Sequence, residues 1–224
     1  MSTVLLPQAF WFRLSIPCQR IDGLPSLNAK RLLDLPESCK IPQSSILDGR
    51  EAWAEVRAAW NPKGLAVSIQ AEGDLLGLKN DDRPEGAYGA TILVDTRDTR
   101  DVSRATRFCH RFDAKLFWSA KKSDLGVIVE HQPISRAVAD PPMAEGKSIT
   151  SRAERSKTYW RLEMFFEAAA LNGFDPETNR RLGFCYRVFD PDRLDEILGV
   201  GREFPVSENP SLWSTLELRE PERS

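Results

Sequence analysis

Apolar and polar residues alternate with a period of two through most of this chain. Leu65, Val67, Ile69 and Ala71 share one phase, while Ser68, Gln70 and Glu72 share the other. Residues two apart point the same way only on an extended strand, so this segment reads as a strand with one oily face. Ala54, Val56, Ala58 and Trp60 alternate just before it, and Asn61-Pro62-Lys63-Gly64 between them is turn chemistry, so the two runs read as a hairpin.

The same period recurs along the chain. Phe10 to Ile16 reads as a first strand stopped at Pro17. Ala90, Ile92 and Val94 face inward from a strand over residues 89–95, and Phe108, His110, Phe112, Ala114, Leu116 and Trp118 share the inner phase of a long one. Residues 126–131, a hairpin of 149–154 with 158–166, then 182–188 and 213–218 complete the set. Short helical turns are expected at 29–33, 167–171 and 194–198. About ten strands without intervening helices point to an all-β, antiparallel, jelly-roll-like sandwich. No repeat or linker divides the chain. Residues 1–224 are therefore expected to form a single domain, with residues 1–50 an irregular strand and wrapping segment and 51–220 the sandwich core.

Composition removes several function classes. Thirty-one basic residues face thirty-three acidic ones, a net charge of −2, which offers no basic excess for nucleic acid or an anionic membrane. No apolar run approaches the ~20 residues of a membrane span. The first sixteen residues lack a secretory signal, so the expected location is cytoplasmic. Cys18, Cys39, Cys109 and Cys185 are scattered and read as free buried thiols, with a Cys18–Cys39 disulfide as the alternative in an oxidising compartment. There is no Gly-x-Ser-x-Gly elbow, His-Glu-x-x-His or P-loop, so an enzyme is not expected. A glycosidase needs only two carboxylates. Glu163 and Glu167 read instead as a solvated strand face.

Four segments carry a family resemblance: Ala54–Asn61 with Gly64–Val67, Ala90–Arg97, Trp160–Phe166 with Ala168–Leu171, and Leu182–Asp190. Together they resemble DOMON-like and family 9 carbohydrate-binding-module-like sandwiches, close to uncharacterised bacterial members of that group. The resemblance implies a non-catalytic ligand-binding sandwich, with carbohydrate as the partner. A structural or protein-interaction domain, its aromatics all packed inside, is the alternative, and an unrecognised enzyme centred on His110, Asp95 and Arg111 is a third.

Candidate ligand residues follow from the same phases. Trp60 and Trp160 lie on apolar stripes and read as core. Trp11, Trp53 and Trp213 fall on the polar phase, where they could serve as stacking platforms or cover the second sheet face. Trp118 ends a strand beside a loop, a rim position. The run from Asp95 to Arg111 interleaves Asp95, Asp98 and Asp101 with Arg97, Arg100, Arg104, Arg107 and Arg111. It reads as an ion-pair network, as an anion site built from Arg97, Arg107 and Arg111, or as a calcium site on the three aspartates. Calcium aside, no cofactor is expected. His110 is either a buried hydrogen-bonded ring or a ligand-facing one. Trp118, Trp53, Arg97, Arg107, His110 and Arg111 are thus the expected ligand-binding set.

Overall fold

A computed structural model describes residues 13–73, 75, 86–119 and 124–221. Eleven strands form the fold: β1 (Ser15–Arg20), β2 (Ala54–Asn61), β3 (Gly64–Glu72), β4 (Gly89–Asp95), β5 (Cys109–Ser119), β6 (Asp124–Gln132), β7 (Ile149–Arg155), β8 (Tyr159–Glu167), β9 (Arg181–Phe189), β10 (Glu196–Ile197) and β11 (Ser214–Arg219). They join in one sheet of order β6-β5-β4-β9-β11-β1-β2-β3-β8-β7, with β10 beside β9. The sheet curls until β6 and β7 lie side by side, so the expected all-β sandwich is present as a nearly closed barrel. All pairings are antiparallel except those of β1, which runs parallel to both β11 and β2.

The hairpin expected at residues 54–71 forms residue for residue, from Ala54 opposite Ala71 to Asn61 opposite Gly64. A Cβ on Gly64 would sit 2.0 Å from the Phe166 carbonyl oxygen of β8, so the close approach of these strands requires glycine. The inner phases meet as anticipated. Trp60, Leu65, Val67, Trp160, Leu162 and Phe166 pack in one buried cluster with Ile92, Phe112, Phe184 and Leu216 from the opposite half. Each such side chain contributes about 1.5–3 kcal/mol of transfer free energy before entropy is charged.

A second, smaller core lies outside the barrel. Leu24, Leu32, Leu33, Leu35 and Cys39 of the wrapping segment cover Ala59, Ala66 and Phe165 on the outer phase of β2, β3 and β8. This segment is the expected cover, but residues 29–33 form bends and irregular backbone rather than a helical turn. The four cysteines are free and buried.

Two other expectations need correction. The first strand does not stop at Pro17. Residues 1–12 lie outside the described part, and β1 runs through Pro17 to Arg20. Pairing with β2 starts only at Gln19, so Pro17 has β11 alone beside it and its missing N–H breaks no ladder to β2. Residues 194–198 form no helix: Glu196 and Ile197 bond antiparallel to Val188 and Arg187 as β10, which gives their backbone polar groups partners on the sheet. The 168–170 turn is present as a 3-10 turn.

Strand direction divides the barrel into two ends. The start of β2, the end of β3, the start of β8 and the ends of β5 and β9 meet at the Trp53 end. The opposite end carries Phe108 and the 168–181 loop, where Gly173 lies against the Phe108 ring.

Candidate functional site

Strands β2, β3, β8 and β7 turn their polar phase outward, and register aligns it in rows. Arg57, Ser68, Glu163 and Arg152 form one row across all four strands, and Glu55, Gln70, Arg161 and Glu154 the next. Glu72 opposite Tyr159 begins a third row. Trp53 extends it, because its carbonyl accepts the Glu72 N–H at 3.0 Å.

The first row fastens the wrapping segment. The Arg57 guanidinium donates to Leu35 O at 2.7 Å, and Arg152 donates to Ala29 O and Lys30 O at 2.7 and 2.8 Å. Glu163 Oε2 accepts the Leu32 N–H at 2.9 Å. Glu163 is therefore not the solvated residue its phase suggested: it is 3% exposed because the wrap lies over it. Burial raises its pKa, against the opposing pull of the Leu32 and Leu33 amides.

The second row lies between the wrap and the Trp53 end, and its Gln70 reaches the groove there. Arg161 donates to Gln70 Oε1 at 2.5 Å and lies 3.6 Å from Glu154, while Lys40 pairs with Glu55 at 2.8 Å. At the third row the surface opens into a groove of about 650 Å³ lined by Gln70, Glu72, Lys157, Tyr159 and Arg193. A hollow of about 320 Å³ continues it between Arg50, Trp53, Glu72 and Arg193. Trp53 is fixed by its indole N–H, which donates to Leu194 O at 2.9 Å. Guanidinium groups lie over both bordering rings, Arg193 at 5.4 Å from the Trp53 centroid and Arg161 at 5.2 Å from that of Tyr159. The groove thus offers two aromatic faces beside a floor of hydrogen-bond donors and acceptors, the combination a polyhydroxylated ring with an apolar face requires.

The expected ligand-binding residues do not come together. Trp53 borders the groove. Trp118 is at the same end, half-buried against the core with Arg155 at 4.9 Å from its ring centroid, and it does not line the groove. Arg97 and Arg107 are at the opposite end, both over the Phe108 ring at 4.8 and 5.0 Å. Arg111 does not join them: it forms a two-point pair with Asp113, at 3.1 and 2.9 Å. Trp213 is fully buried, its indole N–H donating to Val206 O at 2.7 Å, so it is no platform. Trp11 lies outside the described residues.

His110 is enclosed rather than ligand-facing. Ala144 N–H donates to His131 Nδ1 at 2.9 Å, which leaves the His131 proton on Nε2. That nitrogen lies 3.3 Å from His110 Nδ1, and His110 Nε2 lies 3.4 Å from Asn172 O. One set of neutral tautomers satisfies every bond of this relay. Burial holds both rings at a pKa of about 4; for His110 the neighbouring His131 lowers it further.

The aspartate run is an ion-pair and turn network. Asp95 accepts the Arg97 and Thr99 amides at 2.9 and 2.7 Å, and burial raises its pKa. Asp98 pairs with Arg13, Arg100 and Arg181 at 3.3, 3.4 and 3.2 Å and accepts the Thr215 hydroxyl proton. Asp101 is exposed. Carboxylates so occupied do not fit calcium, which needs several converging oxygens, and no such cluster exists among the described residues.

Tyr159, Glu72 and Arg193 were missed from sequence. Tyr159 and Glu72 carried a usable signal, since they share the outward phase of Arg161 and Gln70. Arg193 carried none, because a loop places it.

No family model and no curated protein matches the chain by sequence. Solved structures do. A family 9 carbohydrate-binding module from Caldicellulosiruptor kristjanssonii, solved with cellotriose, matches over 94% of this chain and 95% of its own, with a TM-score of 0.54 at 13% identity. A family 9 module from the same organism, solved with glucose, matches over 76% of this chain and 78% of its own, with a TM-score of 0.50 at 13% identity. At that identity the likeness is one of fold. It bears out the carbohydrate-binding-module half of the resemblance; the DOMON half gains no support from it.

Proposed function

We propose that this chain is a non-catalytic carbohydrate-binding module whose ligand lies in the groove at the Trp53 end. One observation carries the reading: Trp53 and Tyr159, two aromatic rings bordering this surface, flank a floor of Gln70 and Glu72. An aromatic face takes the C–H face of a sugar while the floor takes its hydroxyls. Modules of the same fold solved with cellotriose and glucose support the ligand class. Calorimetry and a glycan array test it. The wild type should bind at least one oligosaccharide, and Trp53→Ala and Tyr159→Ala should each weaken binding about tenfold, the equivalent of about 1.4 kcal/mol. No glycan bound, or both variants binding like wild type, would sink the proposal.

A structural or protein-interaction domain is the second reading. Three tryptophans, Trp60, Trp160 and Trp213, are fully buried, so much of the aromatic surplus serves packing.

A further inference from the structure

Several cations on the outer faces of this barrel are tightly paired. Arg57 meets Glu37 and Glu55 at 2.7 Å, Lys40 meets Glu55 at 2.8 Å and Arg187 meets Asp195 at 2.5 Å. Two that line the groove are not. Arg193 has its nearest carboxylate, Asp190, at 3.9 Å, and Lys157 has no carboxylate within salt-bridge distance among the described residues. Both line the same 650 Å³ space, where Glu72 is the sole acidic lining residue. Arg193 also sits over the Trp53 ring, and Arg161, beside the groove, over that of Tyr159. A neutral sugar stacking on the Trp53 face that Arg193 covers must displace the guanidinium and can offer it only hydroxyl oxygens. A sugar bearing a carboxylate can accept two parallel N–H bonds from the displaced group and a third from the lysine ammonium.

We infer that the ligand of this groove is an acidic oligosaccharide, its carboxylate held by Arg193 and Lys157 while its ring lies on Trp53 or Tyr159. The inference rests on the carbohydrate reading above and narrows it to uronic-acid sugars. Glu72 then serves as acceptor for a ring hydroxyl on the side away from the carboxylate.

The test is calorimetry of the whole chain with trigalacturonate and with cellotriose, at low and high sodium chloride. Trigalacturonate should bind about tenfold more tightly at low salt, because its carboxylate makes charge-assisted hydrogen bonds that a hydroxyl cannot. The advantage should shrink as salt screens these exposed charges. Arg193→Gln and Lys157→Gln, confirmed folded by circular dichroism, should each remove most of the advantage, read as the ratio of trigalacturonate to cellotriose affinity. Cellotriose binding as tightly as trigalacturonate, or variants that keep the preference, would overturn the acidic ligand and leave the carbohydrate reading standing. Binding of neither sugar overturns both.

Discussion

Acidification to pH 5 should destabilise this protein through its two histidines. They are the whole histidine content of the chain, and both belong to the His110–His131 relay. In the unfolded chain each ring titrates near 6.5; folded, each titrates near 4. Between those values the unfolded state binds more protons, so stability falls as pH falls, starting near 6.5 and levelling off below 4. At 1.36 kcal/mol per pKa unit, one ring alone costs about 2 kcal/mol at pH 5. Part of the His110 shift exists only when His131 is charged, so the pair costs about 3 kcal/mol rather than twice the single value. Burial is the main cause; in addition, an added proton at His131 Nδ1 would face the Ala144 N–H, and one at His110 Nδ1 would face the His131 Nε2–H. Urea midpoints at pH 7, 6 and 5 measure the effect. A His110→Gln/His131→Gln double variant, run in parallel, separates the rings from carboxylates that titrate in the same range. Ring titration by NMR reads the midpoints directly. A midpoint above 6 for either ring, or identical pH slopes for wild type and double variant, would refute the relay.

Gly64→Ala should cost about 3 kcal/mol or more by urea denaturation, because its Cβ would meet the Phe166 carbonyl at 2.0 Å and neither strand can retreat without breaking its ladder. Glu196 is buried, and burial raises its pKa against the opposing pull of Ser45, Arg50 and the Trp53 amide, so its folded form favours the proton. Its penalty therefore appears as pH rises above the ordinary carboxylate range, and Glu196→Gln should melt higher than wild type at pH 8 while the gap closes towards pH 4. Arg152→Ala removes the donor to the Ala29 and Lys30 carbonyls and should speed proteolytic cleavage within residues 24–34, with little change in the global melting temperature. Asp98→Asn leaves three arginines without their shared carboxylate and should lower stability by about 1–2 kcal/mol, less than a fully buried pair because those arginines reach solvent.

Alternation made the strands and most of their pairings legible, because a half-buried sheet writes its two faces into the sequence at every second position. It could not say what covers the outer phase. Glu163 sits on that phase and is buried beneath the wrapping segment, while Trp213, just before β11, belongs to the main core with its indole bonded to Val206. Nor could it place neighbours: Pro17 looked like a stop because nothing local shows that β1 has only β11 beside that residue. The groove was half legible. Trp53 was out of phase and so suspect, and Tyr159 followed from the register of Arg161. The expected set still mixed two ends of the barrel, because residues 97–111 are adjacent in sequence to the rim but fold to the far side from Trp53.

The parallel seam at β1 has a consequence for synthesis. Ser15 finds its partner only at Thr215, and no other strand except the last two residues of β1's contact with β2 can hold it. At roughly 5–20 residues per second, a ribosome needs about 10–40 s to deliver that partner after Ser15 has emerged. During this wait the hairpins β2–β3, β4–β5 and β7–β8 can form, but the barrel stays unzipped along one side. A translation product that ends before Ser214 should therefore expose the edges of β9 and β1 and be a substrate for chaperones and proteases rather than a slightly shortened version of the fold.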